Sequence, residues 1–161
     1  MKKRNIKNLF FATVVTLIIM GAIFLINDYN LTGYPTNMGE IRLVTKVIDG
    51  DTVIIEGGDS VRLLGIDTDE KGYPCYSQAK KRLEELVLNK EVYLEADEED
   101  QDMYGRYLRY IILDGENINI KLVQEGLAVA RSSQENKKYK KVMIDAERWA
   151  IDNKIGCKWG N

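Results

Sequence analysis

From Ile41 onward, apolar and polar positions alternate over short runs: Leu43 to Ile48, Thr52 to Ile55, and Val61 to Ile66. Short alternating runs rich in β-branched residues predict strands. Asp49-Gly50 separates the first pair and Gly57-Gly58-Asp59 the second, both suited to hairpin turns. Val92-Tyr93-Leu94 and Tyr107 to Leu113 predict two more strands. Between the third and fourth strands the period lengthens, and Ala79, Leu83, Leu86 and Val87 fall on one helical face. Ser77 is the expected cap of that helix, and Asn89 lies near its end. Asn117 to Gln124 predicts a short helix stopped by Gly126. Tyr139, Val142, Met143, Ala146, Trp149 and Ala150 predict a last helix behind a Ser132-Ser133 cap. Five short strands with a helix between the third and fourth are the order expected of an OB barrel, here an α+β, β-rich fold with three helices.

The first residues follow another pattern. Leu9 to Ile26 runs without a charge, behind Lys2, Lys3, Arg4 and Lys7. As a helix this run would be roughly 27 Å long, near the hydrocarbon thickness of a bilayer. Residues 1–28 therefore read as a membrane anchor or signal segment. The anchor is preferred because the run exceeds a usual signal core and no small-residue cleavage pattern follows. The cationic flank would stay in the cytoplasm, giving a single-pass protein whose remaining domain is extracytoplasmic. Secretion after signal cleavage is the alternative. Residues 29–40 are polar, hold Pro35 and two glycines, and read as a flexible linker to a domain over 41–161. A monomer needs no further assumption.

Charge then narrows the chemistry. Setting aside Lys2, Lys3, Arg4, Lys7 and Asp28 from the totals of 23 basic and 25 acidic residues leaves the remainder acidic by five. Such a surface suits tight passive binding of a phosphate backbone poorly. The chain has no histidine. Ser-His-Asp hydrolysis and imidazole-ligated metal sites are thereby excluded. A hydrolytic site would need a carboxylate base, with Arg, Lys or an oxygen-bound metal as electrophile. Cys75 and Cys157 are too few for a zinc cage; outside a membrane they could pair or remain free thiols. Glu95 to Asp102 holds six acids in eight residues and reads as a solvated loop, with local metal attraction as the alternative.

Asp49, Asp51, Asp67, Asp69 and Glu70 cluster at the ends of successive predicted strands. On one rim of a small barrel they could share a hard cation, which takes oxygen ligands. Asp49-Gly50-Asp51 alone reads as an ordinary hairpin turn. Arg62 lies inside a strand between Val61 and Leu63, a costly place for a permanent charge unless it meets an anion. Arg106 follows Tyr104-Gly105 at the start of the last strand. Two guanidiniums on one rim suit a phosphate whose charge rises during attack.

Ile48-Asp49-Gly50-Asp51-Thr52, Arg62 to Glu70, and Asp102-Met103-Tyr104-Gly105-Arg106 occur in this order, followed by Gly126-Leu127-Ala128 and Trp159. In these motifs the chain resembles the staphylococcal nuclease (thermonuclease) family over nearly all of residues 41–159. The resemblance implies a calcium-dependent phosphodiesterase acting on DNA or RNA and leaving 3′-phosphate ends. It implies that Asp51 and Asp67 bind Ca²⁺ through their side chains and Thr68 through its carbonyl. Glu70 would be the general base, Arg62 and Arg106 would stabilise the transition state, and Asp102 and Tyr104 would line the nucleotide pocket. Asp69 stands where the family usually has proline, the loop Lys71 to Tyr76 is short, and Arg131-Ser132-Ser133 replaces tyrosines that close over the nucleotide. The rival reading is a non-catalytic OB module that binds nucleic acid while tethered to a membrane.

Overall fold

The computed structural model describes residues 39–131 and 133–160. The apolar run Leu9 to Ile26 and most of the expected linker lie outside them. The first strand, β1, spans Glu40–Val47, one residue ahead of the expected domain start. β2 (Thr52–Ile55) and β3 (Ser60–Leu63) follow as antiparallel hairpins, with Val47 opposite Val53 and Val53 opposite Val61. β1 serves two partners. Its second half pairs with β2, its first half pairs with β5 (Glu91–Glu95), and a bulge falls between Val44 and Lys46. An extra residue in one strand sharpens twist, which lets one long strand turn the corner of a barrel.

β6 (Tyr107–Leu113) runs antiparallel to β5 and parallel to β3, closing the five-stranded barrel. The OB architecture expected from the strand order is therefore present. Its interior is filled by alternate side chains, including Val44, Val53, Ile55, Val61, Leu63, Leu94 and Ile111, all buried. Each fully buried side chain of this size contributes about 1.5–3 kcal/mol relative to exposure. The helix α1 (Tyr76–Val87) covers the barrel with Ala79, Leu83 and Val87. β7 (Glu116–Asn117) extends β6 as a short hairpin and leads into α2 (Ile118–Gln124), whose first turn is capped by the Asn117 side chain on the Ile120 amide. α3 (Lys140–Asp152) packs Met143 and Ala150 inward, and a one-turn helix α4 (Gly156–Trp159) ends the described chain.

Three details differ from the sequence expectation. The third apolar run breaks after Leu63: Gly65 adopts a positive φ of 76°, and Ile66–Asp67 forms a separate strand, β4, paired with β8 (Val129–Ala130). Neither long helix uses its expected serine cap. α1 begins ahead of Ser77, behind Cys75, and α3 begins after Tyr139 without a side-chain cap. Ser133 instead accepts the Asn136 amide at 2.8 Å, closing a turn before α3. α4 was not foreseen, because one helical turn carries too little periodicity to detect.

The acidic segment is a loop with residues 98–101 exposed, as expected, but several of its acids have specific partners. Glu95 accepts hydrogen bonds from Lys138 Nζ at 2.6 Å and Tyr139 Oη at 2.7 Å. Asp97 accepts from Tyr110 Oη and the Lys138 amide, and Glu99 exchanges two hydrogen bonds with Asn136. Asp100 pairs with Arg109 at 2.6 Å. These acids dock residues 136–139 onto the barrel. The rings of Tyr110 and Tyr139 meet edge to face at 4.7 Å within the same contact.

Burial, then the hydrogen bond to Glu95, pushes the Tyr139 phenol up to about 12, and burial with the Asp97 carboxylate raises Tyr110 as well. A raised folded pKa gives stability that is complete below the unfolded value near 10 and is lost as pH rises through the folded value. Denaturation midpoints should therefore fall between pH 10 and 12, and Tyr139→Phe should make the slope shallower by about one proton. Gly126 has φ +64, and a Cβ there would collide with the Ile155 carbonyl. Gly126→Ala should cost about 2–3 kcal/mol in urea titrations, whereas Gly115→Ala, with open space around a positive φ, should cost about 1 kcal/mol.

Candidate active site

Three turns meet on one rim of the barrel. The β1–β2 turn carries Asp49-Gly50-Asp51, and Asp49 accepts the Asp51 amide at 3.1 Å. Gly50 is required by packing: a Cβ there would lie 2.7 Å from both Thr68 Oγ1 and the Ala79 side chain. Because the turn has no side chain at this point, Asp51 can press against Thr68. Its Oδ2 accepts from the Thr68 amide and hydroxyl, each at 2.9 Å. The Asp-Gly-Asp motif is thus more than a hairpin turn; it brings two strand ends into contact.

Arg62 projects from β3 between the carboxylates. Its Nη1 lies 3.1 Å from Asp51 and its Nη2 3.1 Å from Asp67. The permanent charge inside a strand is met by two anions. Asp51 is 6% exposed. Burial pushes its carboxyl above the ordinary value, only partly opposed by Arg62. Asp67 also faces Arg131 at 3.4 Å, because β4–β8 pairing and an Arg131 amide bond to the Gly65 carbonyl set the two chains side by side.

The parallel β3–β6 pairing brings the other arginine to the same place. Arg106 sits just before β6, donates its amide and Nε to Asp102, and lies 5.5 Å from the centre of the Tyr104 ring. Burial alone would raise the Asp102 carboxyl, but the Arg106 and Tyr104 donors hold it below the ordinary range. Arg62, Arg106 and Arg131 line one cleft of about 250 Å³, with Glu99, Asp102 and Asn136 on its wall.

Of the residues expected from the sequence, Asp51, Arg62, Asp67 and Thr68 form one bonded cluster, and Arg106 with Asp102 shares the cleft beside it. Tyr104 is 77% exposed. Glu70 is exposed at the outer end of the Asp67-Thr68-Asp69 segment and is not among the cleft-lining residues. Among the described residues, no group of three or more acidic or thiol side chains converges closely enough to hold a metal by itself.

Sequence reasoning missed two contributors and left a third open. Asn119 is fully buried: its Oδ1 accepts the Ile111 amide, and its Nδ2 donates to the carbonyls of Leu64 and Arg109. It fastens the β3–β4 break to β6 from behind. An asparagine inside a short helix carried no signal of that. Arg131 was noted as a departure from the family pattern, not as a third cleft guanidinium. Cys75 and Cys157, left open as a pair or two thiols, form a disulfide with Cα atoms 5.5 Å apart.

The profile of the family described as Staphylococcal nuclease homologue matches residues 60–159. The chain is 43% identical over 121 residues to the Thermonuclease of Staphylococcus intermedius, covering 70% of this chain and 72% of that protein. It is 35% identical over 127 residues to the Thermonuclease of Staphylococcus hyicus, covering 73% and 75%. Endonuclease YncB of Bacillus subtilis is 39% identical over 132 residues, covering 70% and 63%. With the motifs, the closed barrel and this likeness in agreement, the chain belongs to the staphylococcal nuclease family.

Proposed function

We propose that this protein is a Ca²⁺-dependent nuclease that hydrolyses the phosphodiester bonds of DNA or RNA to 3′-phosphate and 5′-hydroxyl ends. The observation that carries the reading is the meeting of Arg62 and Arg106 in one cleft, with the Arg62 guanidinium also bound to the carboxylates of Asp51 and Asp67. Names of relatives, Thermonuclease and Endonuclease, point the same way.

The donor set fits a hard cation. Asp51 and Asp67 already converge on one positive charge, and Asp51 is a buried carboxylate that a cation would favour in its ionised form. Asp51, Asp67 and the Thr68 carbonyl would hold Ca²⁺, with water and substrate oxygen completing the six to eight ligands it takes. When bound, the ion supplies neutralisation of phosphate charge and a more acidic water.

The chain's own residues do the rest. Glu70 accepts a proton from the attacking water as the oxygen–phosphorus bond forms. Arg62 and Arg106 donate to the phosphoryl oxygens, whose charge rises as five-coordinate phosphorus develops. The 5′ oxygen leaves with its electron pair and is protonated. Asp102 keeps the Arg106 guanidinium turned toward the cleft through its Nε, and Tyr104 offers an exposed ring to a base.

The cleanest test uses Arg106, because removing Arg62 would leave the buried Asp51 carboxylate without its ion-pair partner and lower stability by several kcal/mol. The full chain should cut denatured DNA in millimolar Ca²⁺ and stop on chelation. Arg106→Ala should lower kcat by about a hundredfold or more, and Glu70→Gln should remove most turnover while binding persists. A chain that binds DNA and RNA yet cuts neither would establish the binding module instead.

We also propose that residues 1–28 hold the nuclease at the outer face of the cell membrane. The support is the apolar run behind four cations, and a disulfide is at home in an oxidising compartment. Mass spectrometry of the membrane-extracted protein should find the segment intact. A mature N-terminus beyond residue 26, found in the medium, would replace the anchor with a cleaved signal.

A further inference from the structure

Glu70 stands on a segment with little support of its own. Residues 70–74 are all exposed, and Gly72 adopts a positive φ of 100° with open space around it. The segment's backbone is held by two turn hydrogen bonds, the Tyr73 amide donating to the Glu70 carbonyl at 3.0 Å and the Tyr76 amide to the Tyr73 carbonyl at 3.3 Å. Its position must therefore be set at its two ends, Asp69 and Cys75.

Both ends are fastened to the same place. Asp69 Oδ2 accepts the Cys75 amide at 2.9 Å, closing the segment into a loop. Asp69 Oδ1 accepts from Lys158 Nζ, and Cys75 is bonded to Cys157 across a sequence separation of 82. Lys158 and Cys157 are neighbours on α4. That helix is itself seated firmly. The Lys158 amide donates to the Gly126 carbonyl at 3.1 Å, and Gly126 and Gly156 lie so close that a Cβ on either would strike the other's backbone segment. A rigid path thus runs from the end of α2, through α4, to both ends of the Glu70 loop.

We propose that Asp69, Lys158 and the Cys75–Cys157 disulfide form a clamp that positions Glu70 for proton transfer, making Asp69 and Lys158 positioning residues for turnover. This rests on the reading of Glu70 as the base. The bland alternative is that the same bonds only stabilise the fold, as a long disulfide loop does. The two differ in what a folded but unclamped protein does. Stabilisation alone leaves its kcat unchanged. Loss of positioning lowers kcat with KM preserved, because misplacing a catalytic group by about 1 Å can cost up to about a hundredfold.

The clamp also links turnover to redox state. A dithiol that attacks the bridge becomes a cyclic disulfide, and its two electrons and two protons leave Cys75 and Cys157 as thiols.

The experiment is a double-mutant cycle on the full chain, at a temperature where circular dichroism shows every variant folded. Lys158→Met should lower kcat about tenfold with KM unchanged, and Lys158→Arg should restore most of it. Cys75→Ser with Cys157→Ser, or dithiol treatment of the unmodified chain, should lower kcat on the same scale if one variant fails to fold. In a Glu70→Gln background Lys158→Met should cost less than twofold. Unchanged kcat with a lowered Tm would overturn the clamp as a positioning device. So would an equal loss with and without Glu70, which would place its effect on another group. Full activity of Glu70→Gln itself would instead remove the base reading, and with it this role for the clamp.

Discussion

The closure of the barrel by the parallel pairing of β3 with β6 is the constraint on which everything else depends. It sets Val61 beside Tyr107 and Leu63 beside Arg109, although these residues are far apart in sequence. Arg62 and Arg106, one inside β3 and one just ahead of β6, are thereby aimed into one cleft. Non-local pairings of this kind are slow to form and must be reinforced by contacts that accumulate afterwards. Asn119 is such a contact, since its buried side chain accepts the Ile111 amide and donates to the Arg109 carbonyl of β6 and the Leu64 carbonyl just after β3.

The same closure creates an electrostatic problem. A guanidinium buried to this degree is unfavourable alone, and so are two carboxylates beside it. The chain answers by placing Arg62 between Asp51 and Asp67, with Arg131 as a second partner for Asp67. Removing Arg62 leaves the buried Asp51 without an ion-pair partner while Asp67 keeps Arg131, so the cluster also contributes to the fold. Acids elsewhere work differently. Glu95, Asp97 and Glu99 are spent on fixing residues 136–139, and that places Asn136 at the cleft wall.

Much of this was legible in the sequence because the determining patterns are local. Alternation fixed the barrel strands, and an arginine between two apolar strand residues demanded an anion. Asp51, Asp67 and Thr68 were readable from their motifs. The rest depends on partners distant along the chain. No local pattern says that Gly50 must admit Thr68, that Asn119 lies behind the β3–β4 break, or that β8 delivers Arg131 to Asp67. The pairing of the acidic run was hidden for the same reason: composition describes charge density, while its partners Lys138, Tyr139 and Asn136 lie some forty residues on. Spacing likewise could not pair Cys75 with Cys157.

The site therefore divides into two parts with different physical origins. Arg62, Asp51, Asp67 and Thr68 are held by the barrel itself, on strands and turns whose positions follow from core packing. Glu70 is not, because its loop contributes no apolar side chain to the core cluster. Rigid elements hold functional groups more accurately than loops do, unless the loop is anchored from outside. Here the anchor comes from the far end of the chain. Asp69, standing where a proline would have stiffened the backbone covalently, uses both oxygens to tie the loop to itself and to Lys158. Backbone rigidity from a ring is thus exchanged for rigidity from a tertiary contact, which exists only once α4 is seated. A proline restricts its own backbone locally, whatever the rest of the chain does. The clamp acts on this loop only where the C-terminal turn is docked against it.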